Sequence, residues 1–325
     1  MDGTNTTKQG NKYLFVNKCL NMDNGKLQVT KKKTKVLFAF GMHGTDNHPS
    51  DKGFFNSAIQ PFIEEQVVRG GKKAVIVHEL VVYDRFIWNN DLISAALDSV
   101  RCRSNQKAEA ELRSIKRRIR KIQSEVISEV EADLRKLDSG TWPLGLHTWG
   151  FEDLVVEINS RSRGSVANVA EHQEPDNIIA LFKADALSMT WNVIAGNMNI
   201  HPDERLQTLT EMYKQTAIAD RMRDISVLKQ IGRLSRADPE RVIIVPRGSL
   251  HFPMVHLADR SKFDIETRYG FKGNIERDTA WMFKAIAGYY TGKMDDGQLR
   301  NFLAKHMKSD EEKRAAKRIP KVIEF

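Results

Sequence analysis

Cysteine is scarce: Cys19 and Cys102 are the two in 325 residues. Two cysteines build neither a disulfide framework nor a structural zinc site of their own, and the usage suits a reducing cytosol. Long apolar runs are also missing. No stretch approaches the ~18–20 apolar residues that span a bilayer, so no membrane insertion is expected. The N-terminal MDGTNTTKQGNK is polar and lacks the apolar core of a secretory leader. The expected location is cytoplasmic. The sequence has no zinc finger, no RNA-recognition signature, no His-Glu-x-x-His helix and no repeat of fixed period. With 41% hydrophobic and 29% charged residues it does not have the composition of a disordered chain either.

What is present is an excess of basic charge, unevenly spread. The net charge is +9; residues 1–35 carry eight Lys against two Asp, and residues 101–121 carry nine Lys or Arg against two Glu. Basic blocks attract nucleic acid and other polyanions. No aromatic–basic alternation accompanies these two. A solvated helix face and a polar tail are the preferred reading, and nucleic acid is a partner not favoured.

Apolar runs locate the core. Val36-Leu37-Phe38-Ala39-Phe40 stops at Gly41; Ala74-Val75-Ile76-Val77 follows Gly70-Gly71; Val242-Ile243-Ile244-Val245 ends at Pro246-Arg247-Gly248. Strands without polar alternation are buried on both faces of a parallel sheet. Between the first two, Ile59, Phe62, Ile63 and Val67 recur at helical spacing over 54–68. This predicts an α/β fold, a mostly parallel sheet with helices on both faces and right-handed crossovers. Further strands are expected at 154–156 and 263–267, and further helices at 176–196, 203–235 and 278–325. Ahead of the core, Asp23-Asn24-Gly25 marks the turn of an N-terminal β-hairpin between Tyr13–Val16 and a run through Leu27 and Val29. Leu112, Ile115, Ile119, Ile122, Val126, Val130, Leu134 and Leu137 step by three or four along 104–138, with charged residues on the other faces. That pattern predicts a long amphipathic helix or helical hairpin, read here as an inserted arm that protrudes and mediates self-association or partner docking. The resulting organisation is a hairpin and basic linker (1–33), a first half of the core (34–103), the arm (104–138), a second half (139–275) and a C-terminal helical segment (276–325).

The three strong strands end in polar residues: Gly41-Met42-His43-Gly44-Thr45-Asp46-Asn47-His48, His78-Glu79 with Asp84 and Arg85 beyond, and Gly248-Ser249-Leu250-His251. Open α/β sheets bind ligands at the carboxyl ends of their strands. His43, Glu79 and His251 can therefore converge on one edge. Glu79 needs a partner or a task there, because an unpaired buried carboxylate is costly. The other histidines, among them His147, His172, His201, His256 and His306, read as ordinary loop or surface residues.

This order of motifs resembles the erythromycin esterase, TraB/Tiki and ChaN-like superfamily over residues 36–252. Its members carry a strand ending in a glycine–histidine motif (here Phe40-Gly41-Met42-His43-Gly44-Thr45), then a strand with an acidic residue (Val77-His78-Glu79). A helix bearing Arg-Asp or Arg-Asn follows (Arg221-Met222-Arg223-Asp224), and then a strand running into Gly-x-x-His (Gly248-Ser249-Leu250-His251). The esterase-type members have Gly-Glu before the first histidine, where this chain has Met42.

The resemblance implies a hydrolase of ester or amide bonds acting on a small-molecule or peptide substrate. His43, Glu79, Arg223 and His251 are its candidate catalytic residues, with Asp46, His48, Asp84 and Arg85 as candidate substrate contacts. His43 acts as general base or metal ligand, Glu79 orients it or acts as base, and His251 serves as second base, ligand or proton donor. Arg223 clamps a carboxylate or steadies an oxyanion. Two histidines and one glutamate also match a divalent zinc or manganese ligand set, and metal-free hydrolysis uses the same residues, so both stay open. Two other classes remain beside the hydrolase. One is a non-catalytic binding or regulatory protein, favoured by Met42. The other is a nucleic-acid- or nucleotide-directed protein, favoured by the basic segments.

Overall fold

A computed structural model describes residues 20–23, 26–29, 33–41, 59–79, 81–87, 94, 98, 105–138, 165–195, 199–269 and 280–318. The chain divides into two compact units, Met1–Lys33 and Thr34–Phe325. In the first, β1 (Leu20–Asp23) pairs antiparallel with β2 (Lys26–Val29), Asp23 opposite Lys26; Asn24 and Gly25 lie outside the described residues. The first hairpin strand is thus 20–23; Tyr13–Val16 lies outside the described residues.

The second unit is built on five parallel strands: β3 (Thr34–Gly41), β4 (Ala74–His78), β5 (Val166–Ala170), β6 (Val242–Gly248) and β7 (Phe263–Tyr269). Their order across the sheet is β5-β4-β6-β3-β7. The three continuous apolar runs are its centre, with Leu37 opposite Ile244 and Ile76 opposite the same residue on the other side. The expected α/β class is therefore the observed one.

Side chains alternate between two cores. Leu37, Ala39, Ala74, Ile76, Val242 and Ile244 pack on one face against four helical elements. These are α1 (Gln60–Ile63, continuing as a π-helical Glu64–Arg69), α2 (Val81–Ile87), α3 (Asn105–Asp138) and α4 (Pro175–Ile194). Val36, Phe38, Phe40, Val75, Val77, Ile243 and Val245 pack on the other face. They meet the second half of α5 (Pro202–Ala237) through Val227 and Ile231, and the short α6 (Met254–Leu257). The first half of α5 builds a third cluster through Leu209, Tyr213 and Ala217 with α7 (Ala280–Tyr290) and α8 (Asp296–Arg318).

Helix α3 is not an arm. Ile115, Ile119, Val130, Leu134 and Leu137 are buried in the sheet core, with Leu112, Ile122 and Val126 packed against it. The stripe that called for a partner is covered by the chain's own sheet face, and this removes the reason to expect self-association there. At the C-terminus the single expected helix is two. The turn needs positive φ at Gly292 (72°), and the break is sealed by a capping box. Gln298 N–H donates to Asp295 Oδ1 (2.8 Å), and Asp295 N–H donates to Gln298 Oε1 (2.9 Å). The strand expected at 154–156 lies outside the described residues, and β5 at 166–170 occupies the sheet edge.

Candidate functional site

Arg223 lies midway along α5, where the helix passes the carboxyl edge of the sheet. The buried face of α5 reads Leu209, Tyr213, Ala217, Asp220, Asp224, Val227, Ile231, a three-or-four-residue stripe in which two aspartates replace apolar residues. Arg223 sits beside them on the same turn. Glu79 follows β4, Glu171 follows β5, and His251 follows β6 through a short 3₁₀ turn. Together with Arg247 and Tyr290 these side chains form one cluster, none of them more than 6% exposed.

Arg223 is saturated. Its Nε donates to Glu171 Oε1 (3.1 Å), Nη2 to Glu79 Oε1 (3.0 Å) and Glu171 Oε2 (3.5 Å), and Nη1 to Asp220 Oδ1 (3.5 Å). Glu79 also accepts the Gly248 N–H at 2.8 Å, which ties β4 to the end of β6. Burial disfavours the Arg223 charge, but Glu171, Glu79 and Asp220 overcome it and raise the pKa further. Glu171 is itself opposed by burial, yet Arg223 and Arg247 hold its carboxyl below the usual range.

His251 is framed by acids. Its Nδ1–H donates to Asp224 Oδ1 (2.8 Å), and the other oxygen of Asp224 accepts the Tyr290 hydroxyl (2.7 Å). Nε2 lies 3.0 Å from Glu79 Oε1, 3.6 Å from Asp220 Oδ1 and 3.1 Å from Arg223 Nη1. A neutral ring accepts from Arg223 at Nε2, whereas an imidazolium donates to Glu79. Burial and Arg223 oppose the charge, but Asp224, Asp220 and Glu79 push the pKa up to about 10. A ring protonated in this way places Nε2–H toward Glu79 and makes His251 a proton donor. Asp220 is raised by burial, against the pull of His251 and Arg223, and its Oδ2 is buried with no hydrogen-bond partner among the described residues.

The structure thus brings together Glu79, Arg223 and His251, whose positions span more than half the chain. His43, Asp46 and His48 lie outside the described residues; they follow β3, whose last residue Gly41 pairs with Gly248. Asp84 and Arg85 are on α2, where Arg85 forms an ion pair with Asp133 of α3. Sequence reasoning missed Asp220, Glu171, Arg247 and Tyr290, and it named Asp224 only as part of the Arg-Asp motif. Two of these omissions had a signal: aspartates in the core stripe of α5, and an arginine ending the apolar run of β6. Among the described residues no group of three or more His, Cys, Asp or Glu side chains is arranged to hold a metal ion.

No helix among the described residues is long and apolar enough to cross a membrane. No protein-family model, curated protein or solved structure matches the chain.

Proposed function

We propose that the protein is a hydrolase of ester or amide bonds whose site lies at the carboxyl edge of the parallel sheet. One observation supports this above the others. A buried histidine is held between carboxylates delivered by separate elements, at the edge where open α/β sheets bind ligands. His251 is the proton donor. As hydroxide, formed when a base removes a proton from water, adds to the carbonyl, the departing oxygen or nitrogen takes the Nε2 proton of His251. Asp224 fixes the ring through Nδ1, and Glu79 faces the proton that leaves. Arg223, with its donors committed to protein carboxylates, is a positioning residue rather than a substrate clamp. His43 is the base that the family resemblance supplies.

The test is hydrolysis of 4-nitrophenyl acetate, 4-nitrophenyl butyrate and a fluorogenic peptide mixture by the full chain. His43→Ala should reduce the rate at least a hundredfold, the scale of general-base catalysis, without moving the melting temperature. Glu79→Gln is a poorer probe, because Glu79 also holds Arg223 and Gly248. A second reading, a binding or regulatory protein without chemistry, is favoured by the commitment of the Arg223 donors to protein carboxylates. Failure to hydrolyse any of these substrates would favour that reading.

A further inference from the structure

Arg223 and Arg247 share one carboxylate, Glu171, and differ in everything else they touch. Arg247 is the penultimate residue of β6, paired in register with Phe40, and is 0% exposed. Its Nη1 makes an ion pair with Glu171 Oε2. No Nε, Nη1 or Nη2 hydrogen bond is satisfied among the described residues. A guanidinium keeps its charge and carries five N–H donors, so this is a buried cation with an almost unused hydrogen-bonding fork.

Glu171 cannot satisfy it. The same carboxylate takes Arg223 Nε and the side-chain amide of Gln173. One negative charge between two guanidinium groups leaves a positive surplus on the Arg247 side. Burial lowers the His78 pKa to about 4, against the hydrogen bond its Nε2–H donates to Asn168 Oδ1, and Arg247 adds a smaller lowering. The other side of the cluster is the reverse, with Asp220, Asp224 and Glu79 around His251. The cluster is therefore polarised, and its unmet donors lie on the positive side.

We propose that Arg247 is the oxyanion-binding group of this sheet edge, its Nε–H and Nη2–H edge receiving a carboxylate or phosphate group of the ligand. The inference rests on reading the edge as a ligand site, and it narrows the substrate to an ester or amide that carries an acidic group. A planar fork matches two oxygens of such a group at once, and the buried setting strengthens those bonds. No solvent reaches the guanidinium in the present state, so entry of the anion accompanies local opening of the edge. The carboxylates around His251 repel an anion placed there, which fixes the end of the site at which the acidic group sits.

The test is calorimetric titration of the full chain with inorganic phosphate and with acetate at ionic strength held constant by sodium chloride. Saturable binding of at least one is expected, weakened tenfold or more in Arg247→Met and less in Arg247→Lys. The Arg Nε–H signals of the wild-type chain give a second reading that needs no variant. The Arg247 signal should move on titration and the Arg223 signal should stay. Absence of saturable binding by both anions overturns the proposal. So does binding that leaves the Arg247 signal unmoved, or that survives Arg247→Met undiminished. Hydrolysis is scored apart, on 4-nitrophenyl esters with and without a terminal carboxylate and on the peptide mixture. Anion binding without hydrolysis removes the hydrolase reading and keeps the subsite, whereas hydrolysis without anion binding removes the subsite alone.

Discussion

The buried cluster and the basic face of α3 are both dense in charge, and they are built in opposite ways. On α3 the charges are local and wet. Arg113, Arg117, Arg120 and Lys121 are exposed, and Arg113 meets Glu109 one turn away at 3.3 Å with both side chains about two-thirds exposed. In the cluster three charges come from α5 and the others from separate elements, and they meet in the interior. Arg223 reaches Glu79 across 144 positions, and Gly248 reaches the same carboxylate across 169. Water screens the first arrangement and leaves the second uncompensated if any member is lost. Net charge, which counts both alike, says nothing of this difference.

The comparison breaks most sharply by removing one buried charge. Glu171→Ala leaves Arg223 and Arg247 facing each other without their common carboxylate. It should cost about 3–5 kcal/mol, measured by urea denaturation. A loss no larger than that of a surface pair would mean that the cluster is not the closed charge network described here. On α3 the expected sensitivity is apolar rather than ionic. Ile119→Ala, in a fully buried site of the stripe, should cost about 2–5 kcal/mol on the same measure. Full stability of that variant would restore the protruding arm.

The pH dependence sharpens the contrast. The His251 pKa is raised from 6.5 to about 10, so its contribution is complete below pH 6.5 and is lost as pH rises toward 10. Melting temperature should fall across that window, and His251→Gln should flatten the fall by an amount on the order of a few kcal/mol. An equal slope in both proteins would assign the alkaline loss to other groups. The smallest effect belongs to the surface. Arg113→Ala should change stability by less than about 0.5 kcal/mol, a shift that denaturation resolves only as no change.

The same contrast explains what the sequence made legible. Val36–Phe40, Ala74–Val77 and Val242–Val245 announced themselves because central parallel strands are apolar on both faces. β5 did not: it is an edge strand, with Ala167 exposed and Asn168 given to a hydrogen bond with His78, so its run is short and broken. The α3 stripe was readable as a helix but not as a core element, since periodicity gives the face and not what covers it. Glu79, Arg223 and His251 could be named because strand-end position and motif order single them out. Glu171 carries no such mark, because it follows the strand that the pattern hides. The aspartates of α5 were visible as breaks in an apolar stripe, and weighing burial before ion pairing would have placed them inside.

The account turns on the protonation of one ring. Nitrogen-15 spectra of histidine-labelled full-length chain, recorded from pH 5 to pH 11 with a His251→Gln sample for assignment, report it directly. The account predicts that both His251 nitrogens carry protons at pH 7 and that the ring titrates near pH 10. A His251 ring that is neutral at pH 7, titrating near the ordinary 6.5, would contradict it and return that residue to the role of base.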